Sequence, residues 1–195
     1  MMNEQELISR SRNGDIESFN VLVERYQGLV FNVSFRMLGN AGDAEDASQE
    51  TFLAAYRAIP GFRGGSFKGW ILRIAANECH DRLRALKRAR NTSLDNLLEQ
   101  AGDFFQDKDS ESPDEYVQRK ELGAFLLRDL GCLPEDQRLA VVLCDVQGLT
   151  YEEISEVTRS SLGTVKSRLS RGRARLRGYL LQNKEHLPLQ FRLQQ

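Results

Sequence analysis

The chain has 195 residues, 41% of them hydrophobic and 28% charged, with a formal net charge of −1. That is the profile of a soluble globular protein with one medium domain or two of about 70–90 residues each. The longest purely aliphatic run, Leu139 to Leu143, falls far short of the ~20 apolar residues of a membrane-spanning helix, and the polar N-terminus does not read as a secretory leader.

Glycine and proline are sparse and helix formers dominate, so the expected fold is all-α. A first helix is predicted over residues 3–12, capped by Asn3 with Glu6 three residues on. Gly14-Asp15 restarts the chain. Phe19, Leu22, Val23, Tyr26, Leu29, Val30, Val33 and Met37 then recur at helical spacing up to Leu38. Gly39-Asn40 ends that helix. Another runs from Asp43 to Ile59, stopped by Pro60-Gly61. Phe62-Arg63-Gly64-Gly65-Ser66 reads as a flexible loop, with Ser66 as the N-cap of a helix from Phe67 to Lys87. Residues 91–112 lose the periodicity and read as an acidic linker. Leu94, Leu97, Leu98, Phe104 and Phe105 in it suggest docking points. Beyond Ser112-Pro113, helices are predicted near 114–130, 135–146, 150–158 and 162–181. The tail 183–195 has no assigned role, and Met1-Met2 leaves two possible starts.

The small net charge hides a segregation. Arg159 to Lys184 holds eight basic residues and no acid, and Arg82 to Arg90 holds five more with no acid. Asp95 to Glu121 holds nine acids against three bases. Basic patches offset by acids elsewhere suit a DNA binder with a second, different partner.

Thr150 and Glu153 form a capping box for a short helix whose inner face is Ile154 and Val157. A polar turn leads to a longer helix with Leu162, Val165, Leu169 and Leu176 inward and Lys166, Ser167, Ser170, Arg171 and Arg173 outward. Short helix, tight turn and basic helix form a helix-turn-helix, whose second helix enters the major groove. A basic solvated face is the bland alternative, and the paired helices and caps weigh against it.

The N-terminal half carries two further patterns. Asp43, Asp46 and Glu50 share one helical face, which reads equally as a solvated acidic surface near a helix N-terminus. Arg63, Gly64, Ser66, Phe67, Lys68, Arg73, Asn77 and Arg84 combine an aromatic, a glycine loop and spaced cations. That mixture suits single-stranded DNA, whose bases stack while cations hold the backbone. Trp70, in register with Ile74, reads as core, and for Phe67 core and contact are both open. Cys79-His80-Asp81 is not a catalytic relay, because adjacent helical residues point about 100° apart. The cysteines Cys79, Cys132 and Cys144 lie far apart, and His80 and His186 add no ligand cluster. This points to a reducing, cytoplasmic setting without cofactor or disulfide.

The run Leu133-Pro134-Glu135-Asp136-Gln137-Arg138, then Gly148 to Ile154, then Gly163-Thr164-Val165-Lys166-Ser167-Arg168-Leu169-Ser170-Arg171-Gly172-Arg173, resembles the −35-binding domain of RNA polymerase sigma factors. Asp43 to Phe52 is similar to the surface with which those proteins dock on core polymerase. Phe62 to Arg84, with Asn77, Asp81 and Arg84 in the N-x-x-x-D-x-x-R pattern, resembles their −10 recognition and melting region. Together the resemblances cover about residues 4–90 and 113–182. Without room for further central domains, the chain is similar to the small extracytoplasmic-function (ECF) group of the sigma-70 family.

That resemblance implies a non-enzymatic initiation factor. It assigns 1–90 to core polymerase and the −10 element, 91–112 to a linker near the RNA exit path, and 113–182 to the −35 element. It implies base contacts from Lys166, Ser167 and Ser170 and phosphate contacts from Arg168, Arg171 and Arg173. Asp46, Gln49 and Glu50 would contact the polymerase clamp coiled coil, with the flap as a second site. A flipped-base pocket would lie around Gly64 to Lys68 with Asn77, with Asp81 orienting arginines. An anti-sigma factor is a further implied partner. The chain departs from the family at Ser155, usually alanine, and at Thr158, often glycine. A β-branched residue disfavours positive φ, so the turn is expected to differ there. The alternatives are a helix-turn-helix regulator acting without polymerase, and a metal-dependent nuclease using Asp43, Asp46 and Glu50, which lacks convergent ligands.

Overall fold

A computed structural model describes residues 2–90 and 113–182; the expected linker 91–112 and tail 183–195 lie outside the described residues. All regular structure among the described residues is helical. In chain order the helices are α1 (Glu4–Arg12), α2 (Ile16–Leu38), α3 (Ala41–Ala58), α4 (Phe67–Arg90), α5 (Pro113–Gly131), α6 (Glu135–Val141), α7 (Tyr151–Thr158) and α8 (Leu162–Gln182). No described helix is long and apolar enough to cross a membrane.

Local chemistry sets most boundaries. Asn3, Asp15 and Asn40 each accept a backbone N–H at the start of α1, α2 and α3, which satisfies donors a helix N-terminus leaves open. Gly39 ends α2 in the left-handed conformation at φ 76°, where a side chain would be strained. Ile59–Gly61 forms a single 3₁₀ turn after α3.

One stretch differs from expectation. The helix predicted over 135–146 is α-helical only to Val141 and continues as a π-helical turn over Val142–Val146. Gln147 N–H bonds the Val142 carbonyl at 3.1 Å, five residues back. The wider turn keeps Val142 and Leu143 in the core while delivering Gly148 at φ 68° to the start of the next element.

α1 to α4 surround a core of Leu7, Phe19, Leu22, Val30, Ala55, Ile59, Phe67 and Ile71. The second core is shared by both halves of the chain. Val33, Met37, Leu72, Ala76 and Cys79 from α2 and α4 join Leu139, Val142, Leu143, Ile154, Val157, Val165 and Leu169 from α6 to α8. Polar contacts line this junction. Arg138 donates to the Met37 carbonyl at the end of α2. His80 Nδ1 lies 3.2 Å from Glu135 Oε2, and Lys87 Nζ donates to Glu135 Oε1 at 2.5 Å. Burial alone would raise the Glu135 carboxyl, but hydrogen bonds from Lys87 and His80 outweigh it and hold it below the usual range. The two helical units thus pack against each other across a shared core.

Candidate nucleic-acid interface

In the helix-turn-helix, the predicted capping box is formed. Thr150 N–H donates to Glu153 Oε2 at 2.8 Å, and Glu153 N–H donates to Thr150 Oγ1 at 3.2 Å. Ile154 and Val157 are buried. The residue at positive φ is Arg159, at 49°, not Thr158. Thr158 is the last residue of α7, and its Oγ1 donates to the Ile154 carbonyl at 2.7 Å. A β-branched residue is acceptable there, so the family glycine is replaced without strain. Ser155 Oγ donates to the Ser160 carbonyl at 2.5 Å and closes the turn.

α8 opens with Thr164 N–H on Ser161 Oγ at 3.1 Å. Val165 and Leu169 are buried, and Lys166, Ser170, Arg171 and Arg173 are exposed. Ser167 is half-buried, with Oγ donating to the Thr164 carbonyl at 2.9 Å. Leu162, expected inward, is 40% exposed: as the first residue of α8 it extends past the packed turns. Arg168 and Arg173 are engaged within the C-terminal half. Arg168 Nη2 donates to Asp136 Oδ2 at 2.5 Å. Arg173 makes a fork to Asp145, Nε to Oδ2 at 3.0 Å and Nη2 to Oδ1 at 2.5 Å.

In the N-terminal half, Gly64 and Gly65 take φ of 96° and 90°, conformations that suit glycine. Ser66 Oγ accepts Gly69 N–H at 3.0 Å, the predicted cap of α4. Arg63, Gly64, Ser66, Asn77 and Arg84 are exposed and Arg73 is half-buried. Asn77 follows Phe67 by ten residues, about 15 Å along the axis, so loop and Asn77 mark two points on a track along α4. Asp81 lies beside one arginine: Arg84 Nη1 donates to Asp81 Oδ1 at 3.0 Å in an exposed pair.

Of the two readings open for Phe67, burial favours core over the implied −10 contact. The residue is 1% exposed, with ring centroids 5.2 Å from Tyr26, 5.9 Å from Phe62 and 5.3 Å from Trp70. A ring enclosed this way anchors the loop and has no face left for a base; half-buried Trp70 is the more open of the two. Lys68 is occupied as well, with Nζ donating to the Gln147 carbonyl at 3.2 Å, and Val157 of α7 packs beside Gly69.

Asp46, Gln49 and Glu50 are exposed together on α3. Asp43 and Asp46 both pair with the Arg82 guanidinium, so a fixed cation stands where the nuclease reading would put a metal. Cys79 is buried, and burial pushes its thiol up to about 11, which removes it as a nucleophile. Sequence reasoning missed an open apolar groove of about 1340 Å³ between α2 and α3, lined by Phe19, Val23, Phe31, Phe52, Leu53 and Tyr56, with Gln49 on its edge. Leu53 and Tyr56 are large apolar residues left exposed there, which the sequence pattern alone does not reveal.

A helix-turn-helix behind a second helical unit with acidic and basic faces defines a DNA-binding class with a protein partner. The comparisons narrow it. The family models for Sigma-70 region 2 and Sigma-70, region 4 match residues 22–98 and 124–176. The RNA polymerase sigma-H factor of Pseudomonas aeruginosa is 37% identical over 87% of this chain and 90% of its own length. The ECF RNA polymerase sigma factor SigE of Mycolicibacterium smegmatis is 38% identical over 84% of this chain, which spans 62% of that relative. Among solved structures, CnrH in complex with the cytosolic domain of CnrY superposes with a TM-score of 0.66 at 25% identity, over 92% of this chain and 98% of that one. The sigma factor RpoE of Bartonella quintana, in complex with the anti-sigma factor NepR, gives 0.67 at 24% identity over 84% and 97%. The chain belongs to the sigma-70 family of RNA polymerase sigma factors, in its ECF group, and directs promoter-specific transcription initiation.

Proposed function

We propose a division of labour along the chain. Lys166, Ser167 and Ser170 reach base edges of the −35 duplex, while Arg171, with Arg168 and Arg173 released from Asp136 and Asp145, holds phosphates. Arg63, Gly64, Ser66, Lys68, Arg73, Asn77 and Arg84 follow the separated −10 strand. Asp46, Gln49 and Glu50 dock on the clamp coiled coil of core polymerase, with the apolar groove beside them as the desolvated centre of the contact; the flap receives the C-terminal half. Phosphodiester chemistry and metal belong to the polymerase, and this chain acts beside it in the cytoplasm.

The observation that carries this reading is the pairing of two surfaces: Lys166, Ser170 and Arg171 exposed on α8 above buried Val165 and Leu169, and Asp46, Gln49 and Glu50 exposed on α3. Their names place the two promoter elements about 25 base pairs apart, roughly 85 Å at 3.4 Å per pair. A chain packed around one shared core does not span that distance, so promoter engagement separates the halves. The packed form suits storage by an anti-sigma factor, the kind of partner bound to the sigma factor RpoE of Bartonella quintana.

The test is co-purification with bacterial core RNA polymerase followed by transcription from a promoter library. Lys166→Ala is expected to lower −35 selectivity at unchanged polymerase affinity, and Asp46→Arg to do the reverse. Equal loss of both activities in both variants, with helicity intact by circular dichroism, would overturn the division.

A further inference from the structure

Asp43 and Asp46 stand three residues apart on α3, and both are bonded to one side chain of another helix. Arg82 of α4 donates from Nε and Nη2 to Asp43 Oδ1 at 2.9 and 2.7 Å, and from Nη2 to Asp46 Oδ2 at 2.8 Å. The three side chains keep 38% (Arg82), 20% (Asp43) and 57% (Asp46) of their exposure. The surroundings are acidic. Glu50 follows on α3, and Glu78 and Asp81 lie on α4; burial, then Asp81 and Glu50, hold the Glu78 carboxyl above its usual range.

Without Arg82, two like charges three residues apart would repel, and an exposed aspartate would spread over several rotamers. A planar guanidinium bridging both carboxylates fixes their orientation, which a lysine point charge does less well. The bridge also ties α3 to α4, the helix that carries Asn77 and Arg84. We infer that Arg82 is a positioning residue for polymerase docking, holding the Asp46 carboxylate in the orientation its basic partner meets. The inference rests on the reading of Asp46 as a docking residue.

The sign of one substitution separates positioning from simple charge. The docking face is acidic, so by charge alone Arg82→Gln would strengthen attraction to a basic partner. Positioning demands the opposite. The experiment measures affinity of the full chain for bacterial core RNA polymerase at two salt concentrations, for wild type, Arg82→Gln, Arg82→Lys, Asp46→Asn and the Arg82→Gln/Asp46→Asn double variant. Thermal melting and duplex binding through α8 are followed alongside. Arg82→Gln is expected to weaken polymerase binding about three- to tenfold, Arg82→Lys to recover part of the loss, and Arg82→Gln to add little once Asp46 is neutralised. Melting and duplex binding stay near wild type. Unchanged or tighter binding by Arg82→Gln overturns the proposal, as does an equal loss in the Asp46→Asn background. If Asp46→Asn alone changes nothing, the docking reading itself fails and the positioning role falls with it.

Discussion

Arg138 shows how much one residue can depend on the folded chain. It is 8% exposed and donates to the carbonyls of Met37, Gly131 and Leu133. Gly131 ends α5, Leu133 lies in the turn before α6, and Met37 lies in the last turn of α2, about a hundred residues away. Arg138→Met keeps the volume but strands three carbonyls. Buried acceptors without donors cost about 1–3 kcal/mol each, relieved in part by water. The expected result is a loss of about 2–4 kcal/mol in urea unfolding; a change within about 0.5 kcal/mol would assign Arg138 the behaviour of a surface residue. In sequence Arg138 is one letter of a family run. By contrast, the Thr150–Glu153 box was legible, because both partners lie within one turn. Phe67 was not: Phe62 and Trp70 are its neighbours in sequence, but the Tyr26 ring that completes the enclosure comes from α2.

At the scale of elements, helix existence followed from apolar period and caps, and boundaries fell within a few residues. The exceptions trace to packing. The π turn after Val141 begins at Val142 and Leu143, both buried in the shared core. α8 approaches α6 closely at Gly172. A Cβ there would lie 2.9 Å from Val141 Cγ2 and 3.3 Å from the Gln137 carbonyl. Val141 is stiff at χ1, and the carbonyl is part of a helix, so neither yields cheaply. Gly172→Ala gains up to about 1 kcal/mol of helix propensity but overpacks by about 1–3 kcal/mol. A lower urea midpoint is expected, together with weaker −35 duplex binding as α8 shifts. A raised midpoint would mean that the two helices can move apart.

For the whole molecule, the finding that matters is the shared core. α7 lies on α4, with Lys68 bonded to the Gln147 carbonyl and Val157 against Gly69. The candidate −10 track is therefore partly covered by α7, the partner of the proposed −35 reading helix. Opening exposes Leu72, Ala76 and Val157, at about 25 cal/mol per Å² of apolar surface, so it needs compensation from polymerase and DNA. A disulfide between Gly69→Cys and Val157→Cys, with Cys132 and Cys144 replaced by serine, would hold the halves together. Transcription in the presence of core polymerase is expected to be lost under oxidation and restored by a reductant. Full activity of the oxidised, crosslinked protein would show that initiation proceeds without separation.

The all-α class, the helix order, the helix-turn-helix and the exposed residues of α8 and α3 were determined by the sequence alone, because period, capping and charge act within a turn or two. The enclosure of Phe67, the Arg82 bridge, the α2–α3 groove and the union of both halves around one core were decided only by tertiary structure. Each depends on which apolar faces and which buried polar groups meet across a long chain separation, and local pattern does not encode that choice.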